Sequence, residues 1–437
     1  MSPLLVGALG LIGLLFLLAI RLPIAFSLGI AGTVGIMMID GWSVGIHSLG
    51  TYPFAFLKSW LLVAVPLFVL MGYLASSAGV TTHAFATAYR WLGQLPGGLA
   101  MASIAACAAF AATSGSSVAT AGMIGAVAIP EMQKYGYDRK LASGSVAAGG
   151  LLGILIPPSI ALVIYGFLTK TSVAKLLLAG LLPGILTTLV YFLGIFVMVK
   201  TKPNLAREAM RFTWKERFKS LPNLWGVTAL FITVIVGIYA GVFTPTEAAA
   251  AGCCLALFMS LFKNIRHPSN VMKAFADTGR TTGMILGICV GSSLFTQFFV
   301  LSGVADWVSE FVASIQVPRI WILICILAIY IPLGMFLDTI SILLITVPIF
   351  FPVILGLGYD PILFGILVVK MEEISLITPP VGLNVYVIKG VADDIPLADI
   401  FRGIVPFLVM EFLVIAILLR WPGIALWLPE TMVMVGG

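Results

Sequence analysis

The stretch Gly-Ile-Leu-Ile-Pro-Pro-Ser, residues 153–159, and the stretch Ser-Leu-Ile-Thr-Pro-Pro-Val-Gly, residues 375–382, each place a proline pair inside a long apolar run. A proline pair removes two backbone N–H donors and forces the preceding residue out of the helical region. Each stretch therefore predicts a helix that breaks partway and resumes after the prolines. The two pairs lie 222 positions apart.

Other landmarks recur at the same displacement, which indicates an internal repeat. We place the two copies at residues 60–185 and 285–408. The matching landmarks are Pro130 with Pro352 and Gly136-Tyr137-Asp138 with Gly358-Tyr359-Asp360.

The composition is that of a membrane protein. Of the 437 residues, 60% are hydrophobic and 10% are charged, and the mean hydropathy is +1.13. A spanning helix needs about 20 apolar residues, and several apolar runs here are too long for one span. Soluble classes are excluded. The predicted fold is an all-α polytopic membrane protein.

Basic residues are concentrated in two loops, which predicts their side of the membrane. We expect loops 200–221 and 263–280 to be cytoplasmic, because short cytoplasmic loops carry an excess of Lys and Arg. The same bias accounts for the charge, so an interaction with nucleic acid is disfavoured. The basic residues are Lys200, Lys202, Arg207, Arg211, Lys215, Arg217, Lys219, Lys263, Arg266, Lys273 and Arg280.

The repeat predicts a transporter. An odd number of spans between the copies inverts the second copy, and inverted repeats with broken helices at the midplane are common in secondary transporters. A duplicated structural bundle without a transport role is the alternative. The predicted parts are scaffold helices at 1–60, transport repeats at 61–199 and 281–408, basic loops with a linking helix pair at 200–280, and a C-terminal helix at 409–437.

Each copy also holds a polar segment inside an apolar run. These segments are Thr113-Ser114-Gly115-Ser116-Ser117, within 97–130, and Gly334 to Thr339, within 319–357. A helix is interrupted at membrane depth only where protein, water or a ligand satisfies its backbone. Both segments predict tips of re-entrant helical hairpins.

The broken helices predict cation sites. Carbonyls upstream of each proline pair lose their N–H partners, and unwound carbonyls with half-helix C-termini are a known way to hold Na⁺. A simple proline kink, with its carbonyls satisfied by Ser or Thr, is the alternative.

Ionisable residues at membrane depth are functional candidates because they are costly there. Asp338 stands at the second hairpin tip, where it either contacts the substrate or caps a half-helix. Glu372 and Glu373 are expected to pair with Lys370, and Glu247 to cap a helix in Thr-Pro-Thr-Glu. Helix N-termini with hydroxyls and amides suit an anionic substrate. The candidate substrate-binding or coupling residues are Ser116, Ser159, Asp338 and Asn384.

These motifs together resemble the large membrane subunit of the TRAP (tripartite ATP-independent periplasmic) transporters. The resemblance covers nearly the whole chain. It rests on Ser114 to Ser117, Gly136 to Asp138, Leu152 to Ser159, Thr244 to Ala248, Gly334 to Asp338, and Ile377 to Asn384.

The resemblance implies an elevator-type transporter of the bacterial inner membrane, similar in fold to the ion-transporter superfamily and driven by a sodium gradient. It implies import of organic acids such as C4-dicarboxylates, Na⁺ as the coupling ion and no other cofactor. The implied partners are a small four-helix membrane subunit, a periplasmic substrate-binding protein and membrane lipid.

Two sodium sites are implied by the same resemblance. The first would use Ser114, Ser117, Gly153, Ile156 and Pro158, and the second Gly334, Ser375, Thr378 and Val381. Ser375 stands where relatives often have glycine.

Two alternatives remain at this point. A stand-alone sodium or proton symporter would need no binding protein. An intramembrane enzyme is disfavoured, because the three histidines are scattered and the sequence has no His-Glu-x-x-His pair and no Gly-x-Ser-x-Gly elbow. The substrate itself is not encoded in any of these motifs.

Overall fold

The fold was obtained as a computed structural model, which describes residues 2–206, 211–265, 267–314, 317–335 and 337–432. Arg207, Arg266 and Phe336 lie outside the described residues. The regular structure of the described part is entirely helical, which confirms the all-α class.

The first copy of the repeat is built of seven helices that follow three N-terminal ones. The N-terminal helices are α1 (Pro3–Ala19), α2 (Ile24–Asp40) and α3 (Trp42–Leu57). A 3₁₀ turn (Trp60–Val63) leads into α4 (Ala64–Ser77), α5 (Val80–Leu92), α6 (Gly98–Ser114), α7 (Ser117–Lys134), α8 (Arg139–Leu155), α9 (Ile160–Thr169) and α10 (Val173–Thr201).

The second copy follows a helical linking segment and repeats the order of helices of the first. The link contains α11 (Trp214–Ser220), α12 (Trp225–Phe231), the π-helix Ile232–Val236, α13 (Gly237–Tyr239) and α14 (Pro245–Lys263). Then come α15 (Pro268–Ser302), α16 (Val304–Ser314), α17 (Arg319–Gly334), α18 (Thr339–Gly356), α19 (Pro361–Ile377), α20 (Leu383–Val391), α21 (Leu397–Arg420) and α22 (Gly423–Glu430).

The two copies agree residue for residue at their centre. Helices α18 and α19 begin and end 222 positions after α7 and α8. The Gly-Tyr-Asp landmark explains this agreement: Gly136 (φ +71°) and Gly358 (φ +75°) turn the chain in the left-handed region. Asp138 and Asp360 then cap α8 and α19 by accepting backbone N–H groups. The predicted capping role of Glu247 is confirmed at the start of α14.

Seven of the described helices are long and apolar enough to cross a membrane, or eight when the bent pair α8 and α9 counts as one. Helices α15 and α21 run through the predicted domain boundaries at 280 and 408. The basic residues Lys273 and Arg280 therefore lie on α15 rather than in a loop. The orientation of the copies across the membrane stays a prediction from the charge pattern.

Helices α8 and α19 occupy the centre of the protein. Every residue from Leu141 to Leu155 and from Leu363 to Ile377 is buried. Glycines allow α8 to approach α21 closely, since a Cβ on Gly144 would lie 2.3 Å from the carbonyl oxygen of Gly403. Because α19 is fully buried, its three ionisable side chains, Lys370, Glu372 and Glu373, lie in the interior.

A buried ionic network joins α19 to two other helices. Lys370 Nζ lies 2.7 Å from Glu373 Oε2 and 2.5 Å from Glu411 Oε2 on α21. Tyr191 on α10 donates its hydroxyl to Glu411, and Lys370 Nζ lies 3.3 Å from Thr187 Oγ1. The predicted pairing of Lys370 is confirmed for Glu373, whereas Glu372 takes no part in the network.

Replacing Lys370 by methionine is expected to destabilise the protein strongly, because Glu373 and Glu411 would remain as buried carboxylates without a counter-ion. We expect a loss of about 3–5 kcal/mol, measured as a lower thermal unfolding midpoint of the purified protein in detergent. Lys134→Met is the control: Lys134 forms an exposed ion pair with Glu131 at 3.8 Å, so its loss should change the stability by less than about 1 kcal/mol. Equal shifts would contradict the structural role of Lys370.

Candidate functional site

The tip of the first hairpin joins α6 to α7. Gly115 ends α6 with φ +63°, a left-handed conformation that favours glycine. Ser116 then caps α7 by accepting the N–H of Ala119 at 3.4 Å. A Cβ on Gly115 would lie 2.8 Å from the carbonyl oxygen of Pro158. The tip therefore rests directly on the broken segment between α8 and α9.

The first break is formed by Ile156 to Ser159, all buried. Helix α9 is bent by 40° from α8, and Ser159 caps it by accepting the N–H of Leu162 at 3.2 Å. A Cβ on Gly153 would lie 2.5 Å from the carbonyl oxygen of Ser116 and 2.5 Å from Thr120 Oγ1. The absence of a side chain at Gly153 lets the hairpin tip seat on the end of α8.

Three of the five residues of the first predicted sodium site, Ser114, Gly153 and Pro158, lie at this contact. Ser114 Oγ lies 2.8 Å from Thr120 Oγ1, the atom that abuts Gly153. Ser117 Oγ lies 2.5 Å from Asn384 Nδ2 on α20. All five predicted residues, Ser114, Ser117, Gly153, Ile156 and Pro158, are buried, but Ser117 faces α20 and Ile156 packs against Gly184 on α10.

The second break lies between the end of α19 and Gly382, whose left-handed backbone (φ +62°) precedes α20. Thr378 Oγ1 donates to the carbonyl of Ile374 at 2.6 Å, and Ser375 Oγ donates to the carbonyl of Glu372 at 2.6 Å. Hydroxyls thus satisfy carbonyls near this break, as the alternative of a simple kink expects.

Ser375 also packs against Gly334, another residue of the second predicted sodium site. A Cβ placed on Gly334, at the end of α17, would lie only 1.7 Å from Ser375 Oγ. The two residues are therefore in direct contact, while Thr378 and Val381 lie further along in the break and are half-buried. Pro379 and Pro380 are exposed, whereas Pro157 and Pro158 are buried. The two breaks have the same chain path but different surroundings.

A cavity of about 560 Å³ lies between the two hairpin tips. Among the described residues, Asp338 is the only charged one that lines it. Tyr73 on α4 and Thr281 on α15 close one side, with 3.0 Å between their hydroxyl oxygens. The polar lining residues are Tyr73, Ser76, Ser114, Ser116, Ser117, Thr281, Asp338 and Thr339.

Two of the four predicted substrate residues line the cavity. Ser116 and Asp338 face it, and Asp338 also caps α18 by accepting the N–H groups of Ile340 at 3.2 Å and Ser341 at 3.4 Å. Ser159 and Asn384 are fully buried outside the lining. Their polar groups serve the fold instead: Ser159 caps α9, and the Asn384 amide ties α20 to the first hairpin.

Sequence reasoning missed Tyr73, Thr281, Ser76 and Thr339 as lining residues. Single hydroxyls in apolar runs are ordinary in spanning helices, where they bond the backbone of their own turn. Only the packing of α4 and α15 around the tips brings the first two together. Thr339 follows Asp338 directly and is the last residue of the predicted hairpin tip, so the tip itself could have identified Thr339 as a lining residue.

The site has the chemistry of a binding site. Helices α7 and α18 both begin at the cavity, and helix N-termini favour anionic groups. Within the described ranges, no group of three or more His, Cys, Asp or Glu residues is arranged to hold a metal ion. The lining offers hydroxyls, backbone N–H groups and one carboxylate to a small polar solute.

Known proteins match the chain over nearly its full length. The family model described as tripartite ATP-independent periplasmic transporter, DctM component, matches residues 11–424. The C4-dicarboxylate TRAP transporter large permease protein DctM of Pseudomonas aeruginosa is 38% identical over 412 residues, which cover 92% of this chain and 94% of the relative. The sialic acid TRAP transporter large permease protein SiaM of Vibrio cholerae is 32% identical, with 96% and 97% covered.

A solved structure shares the fold at low sequence identity. The YdaH transporter of Alcanivorax borkumensis superposes with a TM-score of 0.65 at 16% identity, over 90% of this chain and 91% of that one. At this identity the likeness concerns the arrangement of helices alone.

A methyl group at Gly153 is expected to push the first hairpin tip off α8. We expect Gly153→Ala to cost about 1–3 kcal/mol, because the new Cβ meets backbone and a short side chain that have no room to shift. The thermal unfolding midpoint in detergent measures this. Gly279→Ala is the matched control in α15, where a Cβ meets nothing within 4 Å, and it should be neutral or stabilising by up to about 1 kcal/mol. Indistinguishable midpoints would mean that the tip does not seat on Gly153.

Proposed function

The chain belongs to the family of DctM components of tripartite ATP-independent periplasmic transporters, and we propose that it imports a small organic acid by coupling to sodium. The observation that carries this proposal is the cavity between the two hairpin tips. It is lined by residues of both repeats, lies beside both broken helices, and offers polar groups to a solute.

The substrate class follows from the relatives and from the cavity. The Pseudomonas aeruginosa relative is named for C4-dicarboxylates and the Vibrio cholerae relative for sialic acid, and both solutes carry carboxylates. A carboxylate suits the N-termini of α7 and α18 together with the hydroxyls of Ser116 and Thr339. We therefore propose an organic acid, with a C4-dicarboxylate as the first candidate.

Sodium coupling is proposed from the donor set at the first break. The hydroxyls of Ser114 and Ser117 are buried at the first hairpin tip, the tip contacts Gly153 and the carbonyl of Pro158, and hard cations prefer oxygen ligands. This set fits Na⁺. The second set, Gly334, Ser375, Thr378 and Val381, fits less well, because the hydroxyls of Ser375 and Thr378 already donate to backbone carbonyls.

The mechanism that we propose is an elevator movement of the two repeats against the remaining helices. The outer faces of α1 to α3 expose large apolar side chains such as Phe16, Phe26 and Trp42. These faces suit lipid or a membrane partner.

The proposed partners follow from the family description. A tripartite periplasmic system with a large permease includes a small membrane subunit and a periplasmic substrate-binding protein. We propose both as partners, the inner membrane of a bacterium as the location, and the basic segments 200–221 and 263–280 as its cytoplasmic side. A stand-alone symporter is the second candidate, since the cavity lies within this chain alone.

Uptake in proteoliposomes tests the proposal. The chain is reconstituted with its small membrane partner, and labelled C4-dicarboxylate is added outside with or without the binding protein and a sodium gradient. We expect uptake only when both are present. Uptake that needs sodium but no binding protein would support the stand-alone symporter, and uptake that ignores sodium would overturn the coupling.

The carboxylate of Asp338 is expected to be required for uptake beyond its capping role. Asparagine caps helices as well as aspartate does, so Asp338→Asn should keep the thermal midpoint but lower uptake by at least about tenfold, the order of one lost charged hydrogen bond. Asp360→Asn is the matched control, since Asp360 caps α19 in the same way and does not line the cavity. Normal uptake by Asp338→Asn would leave Asp338 a helix cap only.

A further inference from the structure

A second cavity lies apart from the cavity between the hairpin tips and shares no lining residue with it. Its volume is about 480 Å³, which is within the range of small-ligand pockets, about 300–1,000 Å³. The residues that line it come from the end of α4, the start of α5, the segment 223–226 at the start of α12, and the end of α14. The proposed function gives this cavity no role.

Helix packing holds the walls of the second cavity in place. Asn264, directly after α14, donates its side-chain amide to the backbone carbonyl of Ser77 at 3.0 Å, which ties the end of α14 to the end of α4. A Cβ on Gly226 would lie 2.4 Å from Met259 Cε and 3.4 Å from Val80 Cγ2. Helix α12 therefore packs closely against both α14 and α5.

The ionisable side chains that line the second cavity are Lys263 and His83. Lys263 is the last residue of α14, and a Cβ on Gly79 would lie 3.9 Å from its Cε, so the lysine lies over the turn from α4 to α5. In the described part of the chain, neither side chain forms an ion pair, and no acidic residue lines the cavity. The positive charge of Lys263 is thus without a counter-ion there.

Aromatic side chains also line the second cavity. Trp225, Phe258 and Phe262 are exposed, and the ring centroids of the two phenylalanines are 4.4 Å apart. Helix α14 is long and apolar enough to cross a membrane, and Lys263 ends it. The cavity therefore lies where the apolar layer meets water, a boundary at which tryptophan is common.

A phospholipid with an anionic headgroup matches this combination of charge and apolar surface. A lysine ammonium binds phosphate as a point charge, and the side chains of Asn223 and His83 can donate hydrogen bonds to phosphate oxygens. Acyl chains would cover the exposed aromatic rings, which a soluble anion would leave in contact with water. Basic pockets between spanning helices on the cytoplasmic side are known sites for anionic headgroups.

We propose that the second cavity binds one anionic phospholipid, with its phosphate beside Lys263 and its acyl chains against Trp225 and Phe262. The bound lipid contacts α4 and α5 of the first repeat together with α12 and α14 of the linking segment. It therefore stabilises the packing between these two parts of the chain. The site is separate from the substrate cavity, and its occupation does not depend on the proposed transport.

Counting bound lipid tests the proposal. The full chain is purified in a mild detergent, and binding of phosphatidylglycerol is compared with that of phosphatidylcholine of the same acyl chains by native mass spectrometry. We expect one phosphatidylglycerol to bind more tightly than phosphatidylcholine. Lys263→Gln should weaken its binding about fivefold, the contribution of one lysine near anionic lipid. Lys263→Arg keeps the charge and should retain the affinity.

Two further variants separate the cavity from the general basic surface. Lys200 also stands in the last turn of a long apolar helix, α10, and does not line the cavity, so Lys200→Gln should bind phosphatidylglycerol as the unmodified protein does. Asn223→Trp fills the cavity without a change of charge and should prevent the tight binding. Phosphatidylglycerol should raise the thermal unfolding midpoint of the unmodified protein, because a ligand that binds only the folded state stabilises it, and should raise that of Asn223→Trp less.

Four results would overturn the proposal. Unchanged affinity in Lys263→Gln would remove the phosphate contact, and equal losses in Lys263→Gln and Lys200→Gln would mean that the lipid follows the overall charge. If inorganic phosphate raises the thermal midpoint as much as phosphatidylglycerol does, the cavity binds a soluble anion. If the chain loses the lipid when it is purified with its small membrane partner, and Asn223→Trp disrupts that complex, the cavity is a subunit contact.

Discussion

A helix that stops inside an apolar interior leaves backbone groups that must find partners there, because neither lipid nor a hydrocarbon core can supply them. This constraint shapes the centre of the protein. Each hairpin tip meets a broken helix of its own repeat: Gly115 contacts Pro158, and Gly334 contacts Ser375. Local hydroxyls of Ser159, Ser375 and Thr378 bond backbone groups at the broken ends, and the meeting of tips and breaks places polar atoms around a cavity.

The two repeats differ in how their central helices contact their neighbours. Around α8 the packing is close: Gly153 and Gly144 bring backbones together, and the first break is fully buried. Around α19 the contacts are polar and ionic. Hydroxyls of Ser375 and Thr378 bond carbonyls of their own helix, and Lys370 bridges two carboxylates. The common chain path therefore supports one neutral and one charged environment on either side of the cavity.

Much of this was predictable because the signals are local. A Gly-Tyr-Asp sequence specifies a left-handed turn followed by a helix cap, and a Thr-Pro-Thr-Glu sequence specifies a capping box. Proline pairs end helices wherever they occur. The pairing of Lys370 with Glu373 follows from their spacing on one helix. Helices α15 and α21 run through positions 280 and 408, since charge and repeat statistics do not mark where a helix begins.

The sequence by itself determined the class, the repeat, the hairpin tips and the helix breaks, since each depends on composition or on neighbours within a few residues. Only the tertiary structure decided which of those residues face the cavity. Tyr73 and Thr281, 208 positions apart, meet through the packing of α4 on α15, and Asn384 turns away to bond Ser117. The tertiary structure also decided that Lys370 forms ion pairs with Glu373 and Glu411 and not with Glu372. The partner of a side chain on another helix depends on how the helices cross.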